Sequence, residues 1–318
     1  MDNLSSIFPV AAYWAGIQDL NFHGNLWLVI LLGVGIGVLI GIFGIAGRFL
    51  MPPFLNIFFN FPYNVAVGSD LGQMLGTSFM NLIKFKGMHN VDYKLGGIML
   101  AGTIVGVELG AQLLEWLKGF GNILVLGLTI HIMDLILSIF YAVLLLWIGL
   151  VVYREARGTG GEEMEGGFPV GEQPAIIARL QHIRLPPMVS LPVSGIEAIS
   201  IWIIVFTGLL TGLLVGLLGV GGGFIRLPAF IYVIGCPMVV AIGTDFFENI
   251  FSMGYGTFTH SLKGNVDLLL VVVLLISVAL GSQIGVAIIR RIRQQKIRVV
   301  FAYIAFGTIL VMGVKLVF

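Results

Sequence analysis

Asp70 and Asp245 are carboxylates placed in the middle of apolar sequence, in the matching contexts Gly68-Ser69-Asp70 and Gly243-Thr244-Asp245. An ionisable group at membrane depth is costly and marks a functional site by default. Two chemistries fit such a residue: an N-cap that satisfies free backbone N–H groups, or a group that takes up and releases a proton. One helical turn further on stand Gln73, Thr77 and Asn81 in one context, and Glu248, Asn249 and Ser252 in the other. Helical spacing puts them near the faces of the two aspartates. Glu248 aligns with Gln73, so one context has an extra carboxylate, which suits asymmetric proton exchange. Asp70, Asp245 and Glu248 are therefore the proton-coupling candidates. Gln73, Thr77 and Asn249 are supporting polar groups, unless they serve only to hydrogen-bond neighbouring helices. Arg48 and Arg226 carry planar donors suited to an oxyanion; the alternative is a snorkelling role at an interface. His131 with Asp134, and His260, are the remaining acid-base candidates, and none has a third ligand at metal spacing.

Positioning these groups falls to two Gly/Pro-rich blocks. Gly44-Ile45-Ala46-Gly47-Arg48 and Gly219-Val220-Gly221-Gly222-Gly223 crowd helix breakers together, and Pro53 and Pro228 follow each. Each Gly lowers helix propensity by roughly 1 kcal/mol relative to Ala. A helix is expected to stop at each block and restart, and a restarting helix offers free N–H groups and a positive dipole end to an anion. Gly44, Ala46, Gly47 and Arg48 in one block, and Gly219, Gly221, Gly222, Gly223 and Arg226 in the other, form the expected substrate site together with Ser69 and Thr244. The glycines spaced by four before each block, Gly33, Gly37 and Gly41, then Gly208, Gly212 and Gly216, are read as helix-packing positions.

These matches belong to a duplication. Gly33, Gly37, Gly41, Gly44, Gly47, Phe49, Pro53, Pro62, Ala66, Gly68 and Asp70 recur 175 residues later as Gly208, Gly212, Gly216, Gly219, Gly222, Phe224, Pro228, Pro237, Ala241, Gly243 and Asp245. The register holds through Asn90-Val91-Asp92 and Asn265-Val266-Asp267. Paired short, Gly/Pro-interrupted segments in two halves point to a transporter's binding site.

Composition sets the solvent. Of 318 residues 58% are apolar and only 10% charged, which excludes a soluble enzyme and a nucleic-acid binder and places the chain in a lipid bilayer. Cys236 is the only cysteine, so no intrachain disulfide forms. Neither a metal motif nor a phosphate-binding loop is present, and no cofactor is expected.

Apolar stretches long enough to cross a bilayer lie at about 25–46, 65–84, 95–117, 122–152, 199–220, 240–261, 267–289 and 298–318, each near the ~20 residues a span needs. Two shorter runs, 49–60 and 224–235, decide the topology. If they cross, each half has five spans and the halves are inverted. All Lys and Arg except Lys118, Arg226, Lys263 and Lys315 then fall on one side, 13 of 17. With eight spans the split is 8 against 9, so the positive-inside rule favours ten. The expected fold is an all-α polytopic membrane protein with ten transmembrane segments in two inverted five-helix repeats and Gly/Pro-broken second helices. The expected parts are an extracytoplasmic lead-in (1–24), a first repeat (25–153), a cytoplasmic linker (154–198) of flexible composition, and a second repeat (199–318), with both termini outside.

The duplicated block, complete as Gly216-Leu217-Leu218-Gly219-Val220-Gly221-Gly222-Gly223, with Pro228 and the Ala-x-Gly-Thr/Ser pattern at Ala241–Thr244 and Ala66–Ser69, resembles the sulfite exporter TauE/SafE family. The resemblance spans nearly all of residues 26–318. It implies a prokaryotic inner-membrane carrier whose partner is a small sulfur oxyanion such as sulfite, or an organosulfonate. The first copy departs from the pattern at Ala46 and Arg48, where the second has Gly221 and Gly223. The expected function is a secondary transporter exporting such an anion, coupled to protons. The competing readings are an anion channel and an intramembrane enzyme using His131, Asp134 and His260.

Overall fold

The computed structural model describes residues 26–43, 48, 50–85, 91–125, 128–157, 185–219, 221–289 and 294–317. Among them the chain is mostly helical. The first half holds α1 (Leu26–Phe43), α2 (Met51–Phe59), α3 (Tyr63–Phe85), α4 (Tyr93–Lys118) and α5 (Ile132–Arg157). The second holds α6 (Ile201–Leu218), α7 (Gly223–Pro228, continued by a π-helical turn over Ala229–Ile234), α8 (Met238–Leu262), α9 (Leu268–Ile289) and α10 (Gln294–Val317). Four are long and apolar enough to cross a membrane: α4, the Ile132–Leu150 part of α5, α6, and the Leu268–Ile288 part of α9. Apolar stretches of α1 and α10 are shorter. Both α3 and α8, which carry the buried acids, owe their lower hydropathy to those polar residues.

One expected span is corrected. Residues 122–152 do not form a single helix, because β1 (Asn122–Val125) and β2 (Leu128–His131) pair antiparallel before α5 begins. A short continuous apolar run has no period that separates strand from helix, and Gly121, at φ +70, ends α4's extension. A second hairpin, β3 (Met188–Leu191) with β4 (Ile196–Ser200), occupies the end of the stretch read as a linker. It is fastened to the bundle, since Ser194 Oγ donates to Asp92 Oδ2 at 2.7 Å and Lys94 Nζ to the Ser190 carbonyl at 2.8 Å. The rest of that linker, 158–184, and the lead-in 1–24 lie outside the described residues.

The glycine series explains the tightest packing. α1 lies along α9 and α6 along α4. A Cβ on Gly37 would lie 2.9 Å from Gly281 Cα, and a Cβ on Gly212 would lie 2.9 Å from Thr103 Cα. Only a hydrogen side chain lets these backbones meet, as small-residue stripes allow in membranes. α3 crosses α8, and α5 pairs with α10.

The halves are also pinned to each other. Asp92 N–H donates to Thr244 Oγ1 at 2.9 Å, and Asp267 N–H donates to Ser69 Oγ at 2.9 Å. Each of those aspartates caps its own helix, Asp92 Oδ1 accepting from Leu95 N at 2.9 Å and Asp267 Oδ1 from Leu270 N at 3.0 Å. Such caps satisfy N–H groups that lipid cannot.

Candidate functional site

The α3–α8 crossing brings the acids together in the bundle interior. Asp70 and Asp245 sit beyond the first turn of their helices, which start at Tyr63 and Met238. The N-cap reading is therefore corrected: free N–H groups occur only in the first turn, and Asp70 and Asp245 each stand eighth in their helix.

In the second half the polar groups close on one another. Arg226 and Glu248 are fully buried and Asp245 nearly so. Arg226 Nη1 donates to Asp245 Oδ1 at 3.2 Å and Asn249 Oδ1 at 3.0 Å, and it also pairs with Glu248 Oε2. Asn249 Nδ2 donates to Asp245 Oδ2 at 2.7 Å, and Ser252 Oγ to Glu248 Oε2 at 3.1 Å. Gly222 makes room for this knot, because a Cβ there would fall 2.6 Å from Arg226 Cζ.

The first half is open by comparison. Asp70 is fully buried, and among the described residues neither of its oxygens has a hydrogen-bond partner. The charge acting on it is that of Arg48, which also acts on Asp245. Arg48 lies in the wall of a cavity of about 440 Å³. Gln73, Thr77, Asn81, Ser282 and Gln283 supply its other polar groups, between Ile40, Leu227, Ile242 and Phe246. Among the described residues the lining holds one cation, several neutral donors and no carboxylate, which is a set of groups suited to an anion with an apolar part.

The second-half glycine block is shaped by close contacts. Gly219 adopts φ +65 and ends α6, its N–H donating to Val215 O at 2.8 Å. A Cβ on Gly221 would lie 2.7 Å from Met74 Sδ and 3.8 Å from Arg48 Nη1, so this glycine stands where the two halves meet. Gly223 opens α7. Gly44, Ala46 and Gly47 lie outside the described residues. Ser69 and Thr244 use their hydroxyls to hold Asp267 and Asp92, as described above.

Several contributors were not evident in the sequence. α6 stops inside the protein, so its terminal carbonyls need donors. Tyr141 Oη from α5 donates to Leu218 O, and His260 Nε2 from α8 donates to Gly216 O at 2.9 Å. Ser282 joins the cavity although its repeat partner is the apolar Val107. Only that break in the repeat would have signalled it.

His260 and the His131–Asp134 pair answer to different neighbours. His131 Nδ1 accepts from Met133 N–H at 3.3 Å, and Asp134 Oδ1 accepts from Tyr63 N–H at 3.4 Å. Among the described residues no group of three or more His, Cys, Asp or Glu could hold a metal.

Comparison with known proteins gives this geometry its context. Residues 29–315 match the family described as sulfite exporter TauE/SafE. The chain belongs to the sulfite exporter TauE/SafE family. Two relatives from Bacillus subtilis (strain 168) are similar along most of their length. The probable membrane transporter protein YunE is 22% identical over 277 residues, covering 85% of this chain and 90% of its own. The probable membrane transporter protein YjnA is 24% identical over 290 residues, covering 91% and 98%. No solved structure matches. Family, relatives and apolar helices together support a multi-pass membrane transporter.

Proposed function

We propose that the protein is a proton-coupled secondary transporter that exports sulfite, or a related small sulfur oxyanion or organosulfonate, across a prokaryotic inner membrane. The observation that carries this reading is the cavity with Arg48 in its wall, the cation whose charge acts on Asp70, a buried carboxylate without a hydrogen-bond partner among the described residues. Arg48, Gln73 and Thr77 contact the anion from the cavity wall, and N–H groups of the glycine blocks add to the contact. Asp70 carries the proton, with Asp245 and Glu248 as the further acids.

The membrane arrangement in this reading is ten spans in two inverted five-helix repeats, with both termini outside and the 154–198 linker in the cytoplasm. The exchanged helix pairs α1–α9 and α4–α6 support it, as do the exchanged pins Ser69–Asp267 and Thr244–Asp92. A twofold relation between repeats produces such swapped contacts.

Purified protein in liposomes with an imposed pH gradient tests the function. Sulfite flux should exceed that of empty liposomes and follow the gradient. Absence of flux for sulfite, thiosulfate and simple sulfonates would overturn the substrate assignment. An anion channel is separated by one result: it moves the anion only down its electrochemical gradient, whereas the proposed carrier accumulates it uphill.

A further inference from the structure

The cavity wall has a second copy in the chain, 175 residues away, and that copy is shut. Gln73, Thr77, Met80 and Gln283 line the cavity, which extends from the middle of α3 toward its C-terminal end at Asn81. Their repeat partners are Glu248, Ser252, Tyr255 and Glu108, on the corresponding parts of α8 and α4. There the helices meet. Glu248 and Ser252 are fully buried and bonded to each other at 3.1 Å, and Thr103, partner of the cavity residue Val278, is fully buried too, its hydroxyl donating to Met99 O at 3.1 Å.

Apolar groups complete the closure. Val67, Leu71, Val107 and Val215, which match Ile242, Phe246, Ser282 and Ile40 of the cavity, are packed in one buried cluster. A Cβ on Gly256, the partner of Asn81, would lie 3.2 Å from Leu71 and 3.4 Å from Val107. At the outer edge of this seam Glu108 gathers donors. Tyr255 Oη and Thr259 Oγ1 reach its Oε2 at 3.0 and 3.1 Å, Gln112 Nε2 reaches Oε1 at 2.9 Å, and Lys263 Nζ stands 3.6 Å from Oε1. On the open side the equivalents Gln283 and Met80 instead stand in the wall of the cavity.

We propose that the α4–α8 seam is a gate, the closed counterpart of the observed cavity, latched by Glu108 with Tyr255, Thr259 and Lys263. Its opening gives the opposite membrane face a route to the same buried acids. The inference rests on the transporter reading and on the repeat relation, and it names the residues that part. A carrier needs two routes that are not open together, and equivalent surfaces in open and closed form supply them within one structure. Glu108 lies on α4 and its partners Tyr255 and Thr259 lie on α8, the helix that carries Glu248 and Ser252, so separation of α4 from α8 exposes Ser252 and Glu248 in one movement.

Two measurements test the gate, both in a Cys236→Ser background that removes the native thiol. In oriented vesicles, a cationic membrane-impermeant thiosulfonate is added from either face to Thr77→Cys and Ser252→Cys proteins. Thr77→Cys should react from one face and Ser252→Cys from the other, and adding Glu108→Ala should speed only the latter, at least tenfold. Reaction of both from the same face, equal acceleration of both by Glu108→Ala, or no reaction of Ser252→Cys in protein that elutes as a folded species would overturn the proposal. The second measurement introduces Val107→Cys with Gly256→Cys and oxidises them to a disulfide across the seam. Sulfite flux should fall to background and return with reductant; undiminished flux in the cross-linked protein would also overturn it. If no variant moves sulfite at all, the substrate assignment fails, and the labelling result alone decides the gate.

Discussion

The two aspartates that the repeat makes equivalent live in unlike surroundings. Asp245 is held by Arg226 and Asn249, and Arg226 is shared with Glu248. Asp70 has the same depth and the same helix position, but among the described residues no hydrogen bond reaches either oxygen. The difference arises outside the matched residues. Arg226 has no arginine partner in the first half, where Met51 stands, and Arg48 replaces Gly223. A duplicated frame has thus been given one charged cluster tied into the protein, and one buried acid whose arginine stands in a cavity wall. Frame and pins are symmetric; the charges are not.

The strongest way to break this comparison is to remove the two arginines in turn. Arg226→Met leaves Asp245 and Glu248 buried without their shared cation, and loss of one member of a buried ion pair costs about 3–5 kcal/mol. Thermal unfolding in detergent should show a markedly less stable protein. Arg48→Met, at the cavity wall, should leave the unfolding midpoint close to that of the parent while sulfite flux falls by at least tenfold. Equal destabilisation by both would erase the division between a structural and a working arginine.

Much of this contrast was legible in the residues. The repeat, the end of α6 at Gly219 and the acids could be read because Gly and intramembrane Asp each break a rule that apolar helices otherwise obey. Residue spacing also suggested that Gln73 and Thr77 accompany Asp70. What could not be read was which arginine is neutralised. Each arginine follows a Gly-rich block, and the sequence does not show that α7 folds back so that Arg226 meets Asp245, Glu248 and Asn249 of α8. The hairpin at 122–131 was hidden for a different reason, since Ile123, Leu124 and Val125 are as acceptable in a span as in a strand. Tyr141 was also hidden, because a lone Tyr in an apolar helix gives no hint that its hydroxyl reaches the end of α6.

A second test sharpens the contrast between the acids themselves. Asp70→Asn should abolish the dependence of sulfite flux on the pH gradient while leaving folded yield intact, because no hydrogen bond to that carboxylate is lost. Asp245→Asn should retain the pH dependence and lower the unfolding temperature, because it withdraws charge from Arg226. Flux assays across a range of imposed gradients separate the outcomes. Gradient-dependent flux in Asp70→Asn would remove that residue from coupling.

Next in size is the cap on the broken helix. Tyr141→Phe deletes the donor to Leu218 O without changing the packing against Tyr63, whose ring stacks on it at 5.5 Å. A buried carbonyl left without its donor costs about 1–3 kcal/mol. Hydrogen exchange should therefore rise locally at Gly219 to Gly222, and not at the ends of α1 or α9. Unchanged protection there would show that the tyrosine does not fix the break.

The smallest effects belong to the pins, and there the two halves should agree. Ser69→Ala and Thr244→Val each remove one acceptor for the backbone N–H of Asp267 or Asp92, while both aspartates keep their capping bonds. A hydrogen bond of this kind contributes about 0.5–1.5 kcal/mol, so each variant should lose a little stability, and the two losses should be nearly equal. Thr244→Val keeps the volume of the side chain, whereas Ser69→Ala shortens it, and both positions are fully buried. Side-by-side unfolding of these two variants measures the symmetry of the frame in the same units that the arginine pair measures its asymmetry. If Ser69→Ala alone disturbed the fold, the duplicated frame would have to be as unequal as the charges it carries.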